Sequence, residues 1–423
     1  METEILIVGS GCAGLYCALQ LPKNKKITII TKAGEEENDS FLAQGGMCVL
    51  REEADYHSFL EDTLKAGHYE NDEKAVETMI RSSKGVLEDL LQYGAEFQKD
   101  EKGELLFTRE GAHSAKRIIF HEDITGKEIT GTLLKAVKQQ KHITLLERTT
   151  MLDLLVEHNV CYGVVVQKVN GEIEKIEAEQ TILATGGIGG LYKHSTNFAH
   201  LTGDALAVAL KHNIELKNIN YVQIHPTTLY SKEERSFLIS ESVRGEGAVL
   251  RDKHGERFVN ELLPRDLLTK AIFEQMEKDG TEFVWEDLRT IPEKELKNHF
   301  PNIVEHCREM GYDVTKECIP IVPAQHYFMG GIKVDYQCRT SMEQLYAIGE
   351  TACNGVHGRN RLASNSLLES LVFAKRAAMD IAQKSTEIKK NSEFVKQIDL
   401  EAYRDVEKLQ EMYREMVKAE IQK

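Results

Sequence analysis

Apolar and polar positions follow different rhythms in different stretches of the chain, and each rhythm predicts a different element. Near the start, Ile5-Leu6-Ile7-Val8 is an unbroken apolar run that opens into Gly9-Ser10-Gly11-Cys12-Ala13-Gly14; a helical pattern follows to about Leu21, then a second run, Ile27-Thr28-Ile29-Ile30. Continuous apolar runs of this kind belong to strands buried on both faces, so residues 3–32 predict a strand, glycine turn, helix and strand in a βαβ unit. Residues 35–50 read as a loop through Ala43-Gln44-Gly45-Gly46, and residues 72–94 carry Val76, Met79, Ile80, Val86, Leu87, Leu90 and Leu91 at helical spacing. Both predict cover for the first unit.

From 127 to 190 the pattern predicts a helix, then β-rich segments of which 160–169 is the clearest. The last of them, Thr181-Ile182-Leu183-Ala184, runs into Thr185-Gly186-Gly187, a second strand-to-glycine turn. Residues 220–326 differ in texture, with charged turns such as Arg251-Asp252-Lys253-His254-Gly255, several prolines and longer helical stretches, and predict a separate inserted domain. A third strand-to-glycine turn follows, Leu345-Tyr346-Ala347-Ile348 into Gly349-Glu350, and the tail from about 386 is polar, helical and rich in Lys and Glu.

The first glycine turn has the context that gives a GxGxxG its chemistry: it leaves a buried strand and opens a helix. The first glycine permits the tight turn, the second lets backbone N–H groups approach a pyrophosphate, and the third allows close helix–strand packing. Which dinucleotide is bound stays open at this level. Thr31-Lys32 stands where an acid would bind an adenosine ribose, which suits NADP, whereas two further strand-to-glycine turns suit a long flavin cofactor crossing the sheet.

Charge sharpens the picture. The chain has 423 residues, 41% of them hydrophobic, and a formal net charge of −15, which disfavours nucleic acid, anionic membranes and anionic small molecules unless cations cluster locally. No basic leader or membrane-length apolar run is visible, so the expectation is a cytoplasmic protein. The eight cysteines form no CxxC pair, which predicts reduced structural thiols and no metal site.

The required cations stand between 220 and 370, beside Gly, Pro and Ser: Gln223-Ile224-His225-Pro226, Ser240 to Gly247 with Glu241 and Arg244, Pro264-Arg265-Asp266, Ala324-Gln325-His326-Tyr327, and His357-Gly358-Arg359-Asn360-Arg361. Arginine forks bind carboxylates bidentately and histidines add donors of adjustable charge, so a small dicarboxylate would use several of them. Glu241 and Arg244, three apart, would share one face of a helix.

Many motifs together resemble the fumarate reductase/succinate dehydrogenase flavoprotein family, and within it the L-aspartate oxidases. They are the GSGxAG turn, AQGG at 43–46, Thr108-Arg109-Glu110-Gly111 with His113-Ser114, ATGG at 184–187, Gly203-Asp204, QxHPT at 223–227, RGEGA at 244–248, PRD at 264–266, HYxxGG at 326–331, AIGE at 347–350 and the run NRLASNSLLE from Asn360 to Glu369. The resemblance implies an α/β fold: a Rossmann-like FAD-binding domain of the glutathione-reductase type at 1–219 and 327–385, split by an inserted α+β capping domain at 220–326. A short helical segment, 386–423, is expected where such proteins usually carry a longer bundle.

The resemblance further implies that Gly9, Ser10, Gly11, Cys12, Ala13, Gly14, Lys32, Asp39, Ser40, Phe41, Leu42, Ala43, Gln44, Gly45, Gly46, Asp204, Glu350, Ser366 and Leu367 line FAD. Members that carry FAD covalently have a histidine where this chain has Asp39, so binding should be non-covalent. Arg265 matches the family's proton donor/acceptor, Glu241 and Arg244 its proton relay, and Gln223, His225, Ser240, His326, Arg361 and Ser364 its substrate site. Glu110 matches the acid that faces the substrate's amino group in aspartate oxidases. Two departures are that Ala112 follows Gly111 where a second glycine is usual, and that Ser240 replaces the commoner threonine. The expected activity is oxidation of L-aspartate to iminoaspartate, feeding quinolinate synthase and NAD biosynthesis, with electrons passed to O2 or fumarate. A soluble fumarate reductase and a non-catalytic flavoprotein subunit are the alternatives.

Overall fold

The computed structural model describes residues 1–231, 235–383 and 388–423. Apolar β-branched runs in the first half of the chain assemble into a seven-stranded sheet. Glu2–Val8 pairs in parallel with Ile27–Ile30 on one side and Ile173–Leu183 on the other, and Ile143–Leu146 adds outside Ile27–Ile30. The eleven residues of Ile173–Leu183 serve two partners: the first half pairs antiparallel with Val160–Gln167, and Thr181–Leu183 pairs in parallel with Leu345–Ala347. Val8, Leu183 and Ala347 thereby fall in register at one edge, so the three strand-to-glycine turns open side by side. In parallel α/β sheets this carboxyl edge is where ligands bind.

Helices cover the sheet because their apolar stripes have nowhere else to go. Cys12–Gln20 is buried along most of its length, and the long helix Glu73–Tyr93 is capped by the Asp72 side chain, which accepts from Ala75 N–H, and closed by Gly94 at φ 98°. The 35–50 stretch, expected as loop, contains a short helix, Asp39–Leu42, because the Asn38 side chain accepts from Phe41 N–H and supplies an N-cap.

Residues between Val222 and Phe328 build a second, five-stranded sheet, antiparallel in every pairing, with Val222–Leu229 beside Ile319–Phe328. It has its own apolar core, in which Leu268 and Ile272 of helix Arg265–Asp279 and Ile303 and Cys307 of helix Pro301–Glu309 pack against Leu250, Val284 and Ile321. Strand Ile319–Phe328 runs without a break past 326. Helix Val406–Ile421 docks on helix Asp204–Lys211 by burying Tyr413 and Val417, and the Tyr413 hydroxyl donates to Leu152 O at 2.9 Å. The expected domain limit at 385/386 lies outside the described residues. Among the described residues no helix is long and apolar enough to cross a membrane, no cluster of three or more His, Cys, Asp or Glu could hold a metal, and all eight cysteines are free.

Candidate active site

One cleft runs from the carboxyl edge of the large sheet to the face of the smaller one. Its first wall is backbone. Gly9 has φ +124° and a Cβ there would stand 2.0 Å from Ala184 O, while a Cβ on Gly14 would stand 2.1 Å from Gly9 O. Side chains at either position would push strand, turn and helix apart. The N-terminus of helix Cys12–Gln20 is thus presented at the cleft, with Cys12 N–H donating to Ser40 Oγ at 3.1 Å, a setting that favours a phosphate. Lys32 does not project freely: its Nζ pairs with Asp204 at 2.7 Å and donates to His200 O at 2.9 Å.

The middle of the cleft is lined by acceptors that lack donors. Asp39 accepts from Phe198 N–H at 3.0 Å through one oxygen, its other oxygen has no partner, and burial pushes its carboxyl up to about 7. Glu350 accepts from Phe328 N–H at 3.0 Å, and burial, then the Asp39 charge, push it up to about 8. Gln44 Oε1 is buried and unpartnered. Such acceptors fit a ligand rich in hydroxyl and ring N–H donors, as FAD is, and Asp39 offers no imidazole for covalent attachment.

At the far end the charged residues converge. Glu241 opens the short helix Glu241–Gly245, whose N-cap is Ser240, and accepts from Arg265 Nε at 2.6 Å; Arg244 on the next turn lies 3.8 Å away. Burial alone would raise the Glu241 carboxyl, but Arg265 and Arg244 outweigh it and hold it below the usual range. Arg265 also donates to Gln223 Oε1 at 2.9 Å, and Gln223 in turn donates to Asn360 Oδ1 and Arg361 O, tying the smaller sheet to the loop that precedes helix Asn365–Gln383.

Glu110 faces this cluster from a loop of the first half of the chain. It is 4% exposed and accepts from Ser242 Oγ at 2.8 Å and Ser364 Oγ at 2.6 Å. Burial, then the Glu241 charge, raise its carboxyl. Ser364 holds its place in the left-handed region at φ 62°, and its Oγ also accepts from Gly46 N–H at 3.2 Å. Ala112, two residues after Glu110, sits at φ 63°. Non-glycine residues with such backbone angles cost energy and cluster at functional sites.

Two histidines complete the floor. The His225 and His326 rings lie 5.1 Å apart, and burial, followed by the Arg265 charge, keeps both neutral well below the usual histidine range. The Thr227 backbone engages His225 Nδ1 and Thr196 Oγ1 engages His326 Nδ1, while His225 Nε2 is buried without a partner. Arg361 lies over the Tyr327 ring at 4.5 Å, donates to Ser366 Oγ, and has its guanidinium lowered to about 10 by burial and by Arg265. A neutral-donor and cation set of this kind accommodates a small polyanion.

A FAD binding domain family model matches residues 4–367. The chain is 52% identical over 380 residues to the L-aspartate oxidase of Clostridium perfringens, covering 89% of this chain and 86% of that one. The chain belongs to the L-aspartate oxidase family. The family's member from Clostridium acetobutylicum is 47% identical over 393 residues, covering 92% of this chain and 90% of its own. Among solved structures, the E. coli quinol fumarate reductase superposes with a TM-score of 0.88 at 29% identity, over 96% of this chain and 74% of its own. The mixed α/β flavoprotein fold is therefore shared between the L-aspartate oxidases and the fumarate reductases.

Of the residues assigned to cofactor, substrate or proton transfer, all line the cleft of this L-aspartate oxidase family member except Gly14, Gln223 and Arg244; of the other candidate cations, His357 lies beside Glu369 and Arg359 near Glu70, away from the cleft. Gly14 packs behind the turn, Gln223 buttresses Arg265, and Arg244 lies behind Glu241. Four residues given no role in the sequence reading also belong here. Ser242 supports Glu110, Thr196 supports His326, and Arg235 lines the cleft near Asp39 and lowers its carboxyl. His113 Nε2 donates to Ala363 O at 3.0 Å, next to Ser364, and its Nδ1 accepts from the buried Arg117 at 3.1 Å. Ser242 carried a signal as a hydroxyl adjacent to Glu241, and His113 as part of the motif around Glu110; Thr196 and Arg235 carried none.

Proposed function

We propose that the chain is an FAD-dependent L-aspartate oxidase, converting L-aspartate to iminoaspartate and passing the electrons to O2 or fumarate. In this reading the sheet of 222–328 is a capping domain inserted into the FAD-binding domain, and the substrate lies between them. The helix N-terminus at Cys12, the Asp39–Gly46 segment, Asp204, Glu350, Ser366 and Leu367 hold the cofactor. FAD, when bound, supplies the acceptor for the hydride that leaves Cα. The chain's own residues do everything else.

Aspartate brings two carboxylates and an ammonium, and this site offers a partner for each. Arg361 and Arg265 attract the carboxylates despite the net negative charge of the whole chain. The Thr227 backbone holds His225 Nδ1 through both its N–H and its carbonyl, which leaves the unpartnered Nε2 to face a carboxylate; in the tautomer with the proton on Nε2 the neutral ring donates to it without adding charge. The observation that carries the reading is Glu110, a buried carboxyl held by two hydroxyls and facing the arginine cluster. It pairs with the ammonium, and its raised pKa suits it to take the ammonium proton, which must leave before the C–H bond breaks. Succinate, lacking the ammonium, would leave Glu110 buried against a methylene, so the same residue sets specificity. Because an imine hydrolyses in water, the product is best used by a quinolinate synthase close at hand, in the cytoplasm.

The test is an anaerobic titration of the FAD-loaded protein with L-aspartate, followed by fumarate or oxygen in separate samples. Aspartate is expected to bleach the oxidised flavin absorbance and either acceptor to restore it. Glu110→Gln should slow bleaching on the order of 100-fold while FAD stays bound. Full-speed bleaching in that variant would remove Glu110 from the mechanism, and an inert wild type that is reoxidised by fumarate after chemical reduction would make the protein a fumarate reductase.

A further inference from the structure

Behind Arg244 lies a carboxyl that the chemistry above does not use. Glu286 sits within strand Val284–Asp287, opposite Leu250 and Ile319 in the smaller sheet, and is fully buried. Neither of its oxygens has a hydrogen-bond partner. Arg244 presents the complement: its Nε and Nη2 are also buried without a hydrogen bond, while its Nη1 donates to Glu261 O at 2.7 Å. The two groups make no direct hydrogen bond, and the Arg244 charge acts on the Glu286 carboxyl.

From Arg244 a series of polar contacts leads to the surface. The Glu261 carboxylate accepts from Leu250 N–H at 2.8 Å, beside Glu286 in the sheet, and from Arg257, whose side chain is 56% exposed. On the other side, Arg244 lies 3.8 Å from Glu241, which binds Arg265. A series of polar groups thus runs from the cleft through Arg265, Glu241, Arg244 and Glu261 to Arg257 at the surface, and Glu286 lies beside it, opposite the Leu250 that donates to Glu261. A buried acid with unsatisfied oxygens costs stability, and an apolar residue of similar volume would pack more favourably. The charged groups facing it are Arg244 and Glu261, and it is felt by the Cys307 thiol; burial, opposed by Arg244 and assisted by Glu261, pushes its carboxyl up to about 8, so it holds a proton at neutral pH.

We propose that Glu286 is the proton reservoir that recharges the Arg265, Glu241 and Arg244 relay and refills from solvent past Glu261 and Arg257. The inference rests on fumarate acting as an acceptor. Fumarate takes a hydride at one alkene carbon, carrying the two electrons that aspartate gave up, and a proton from Arg265 at the other, giving succinate. Arg265 recovers its proton from the Glu241 and Arg244 pair, Glu286 passes its carboxyl proton to that pair and becomes a carboxylate, and bulk water restores the acid.

Glu286→Gln keeps the volume and the neutral charge of the protonated acid, so it preserves packing and removes only proton exchange. Stopped-flow reoxidation of the aspartate-reduced holoenzyme separates the arms. Reoxidation by fumarate should slow at least about tenfold and lose its decline above pH 8, whereas reoxidation by oxygen and reduction by aspartate stay within about twofold. Glu286→Asp should recover part of the fumarate rate. Infrared spectra of wild type should contain a protonated carboxyl band, absent from Glu286→Gln, that titrates near the value above. Equal fumarate rates in variant and wild type, or no such band, overturn the proposal. A wild type that fumarate does not reoxidise at all refutes the acceptor reading instead and takes this inference with it.

Discussion

The loop that carries Glu110 and the helix that carries Glu241 place the same residue type, equally buried at 4% exposure, on two sides of one cleft. Their surroundings differ in one respect. Glu110 is held by two neutral hydroxyls, from Ser242 and Ser364, and its carboxyl is raised; Glu241 is held by two arginines and its carboxyl is lowered. Hydroxyl donors satisfy a carboxylate's lone pairs but do not cancel the cost of burying its charge, whereas a guanidinium does both. A pair of acids driven apart in this way is the usual means of obtaining a base and a fixed anion from one residue type.

The comparison breaks most severely if Arg265 is removed. Arg265→Gln leaves Glu241 with only Arg244 at 3.8 Å, so its carboxyl should rise toward that of Glu110 and the two sides should become alike. Loss of a positioned proton donor is worth on the order of 100- to 10,000-fold, and reoxidation of reduced enzyme by fumarate is expected to fall by that much. Removing one partner from a buried ion pair also costs about 3 to 5 kcal/mol, visible as a lower urea midpoint. A variant that reoxidised with fumarate within about tenfold of wild type would place the proton donor elsewhere.

Much of the cleft's cofactor side was legible because its information is local. A strand that ends in glycine announces itself in a few residues, and three such strands, ending at Val8, Leu183 and Ala347, meet in register at one edge. The support of Glu110 was not legible. Ser364 lies 254 positions from it in sequence and reaches it only because its own backbone is left-handed, which no serine advertises. The same holds for Thr196 beside His326 and for Glu286, which in sequence is one acid in the strand Val284–Asp287, with nothing to mark it as buried. Glycines encode backbone needs in the residue type itself; long-range polar partners are encoded only in the assembled fold.

A milder change sharpens the comparison from the Glu110 side. Both serine hydroxyls lower the Glu110 carboxyl against the opposing effects of burial and Glu241. Ser364→Ala removes one, so the carboxyl should rise further. Glu110 must be ionised to pair with the ammonium, and that state is lost as pH falls through its pKa. The acid limb of aspartate kcat/KM is therefore expected to move to higher pH in Ser364→Ala, with about a tenfold loss near neutrality from a charged group left short of a donor. An unshifted acid limb would mean that the limb reports some other group.

The smallest effect concerns what holds the Glu110 loop in place. Ala112 adopts φ 63° with its side chain exposed, so its methyl packs little and its backbone carries the cost of the left-handed region, about 1 to 2 kcal/mol for an L-residue. Ala112→Gly relieves that cost but gives the unfolded chain more freedom, worth about 0.4 to 1 kcal/mol in the opposite direction. The net is a gain of at most about 1.6 kcal/mol, and in a chain of this size a rise in Tm of no more than about 2 °C. Because Glu110 is fixed by Ser242 and Ser364 and not by the angle at Ala112, aspartate kcat/KM should stay within about twofold. A large loss of activity with unchanged Tm would show instead that the strained alanine sets the direction of the Glu110 carboxyl, and that the difference between the two glutamates depends on backbone as well as on donors.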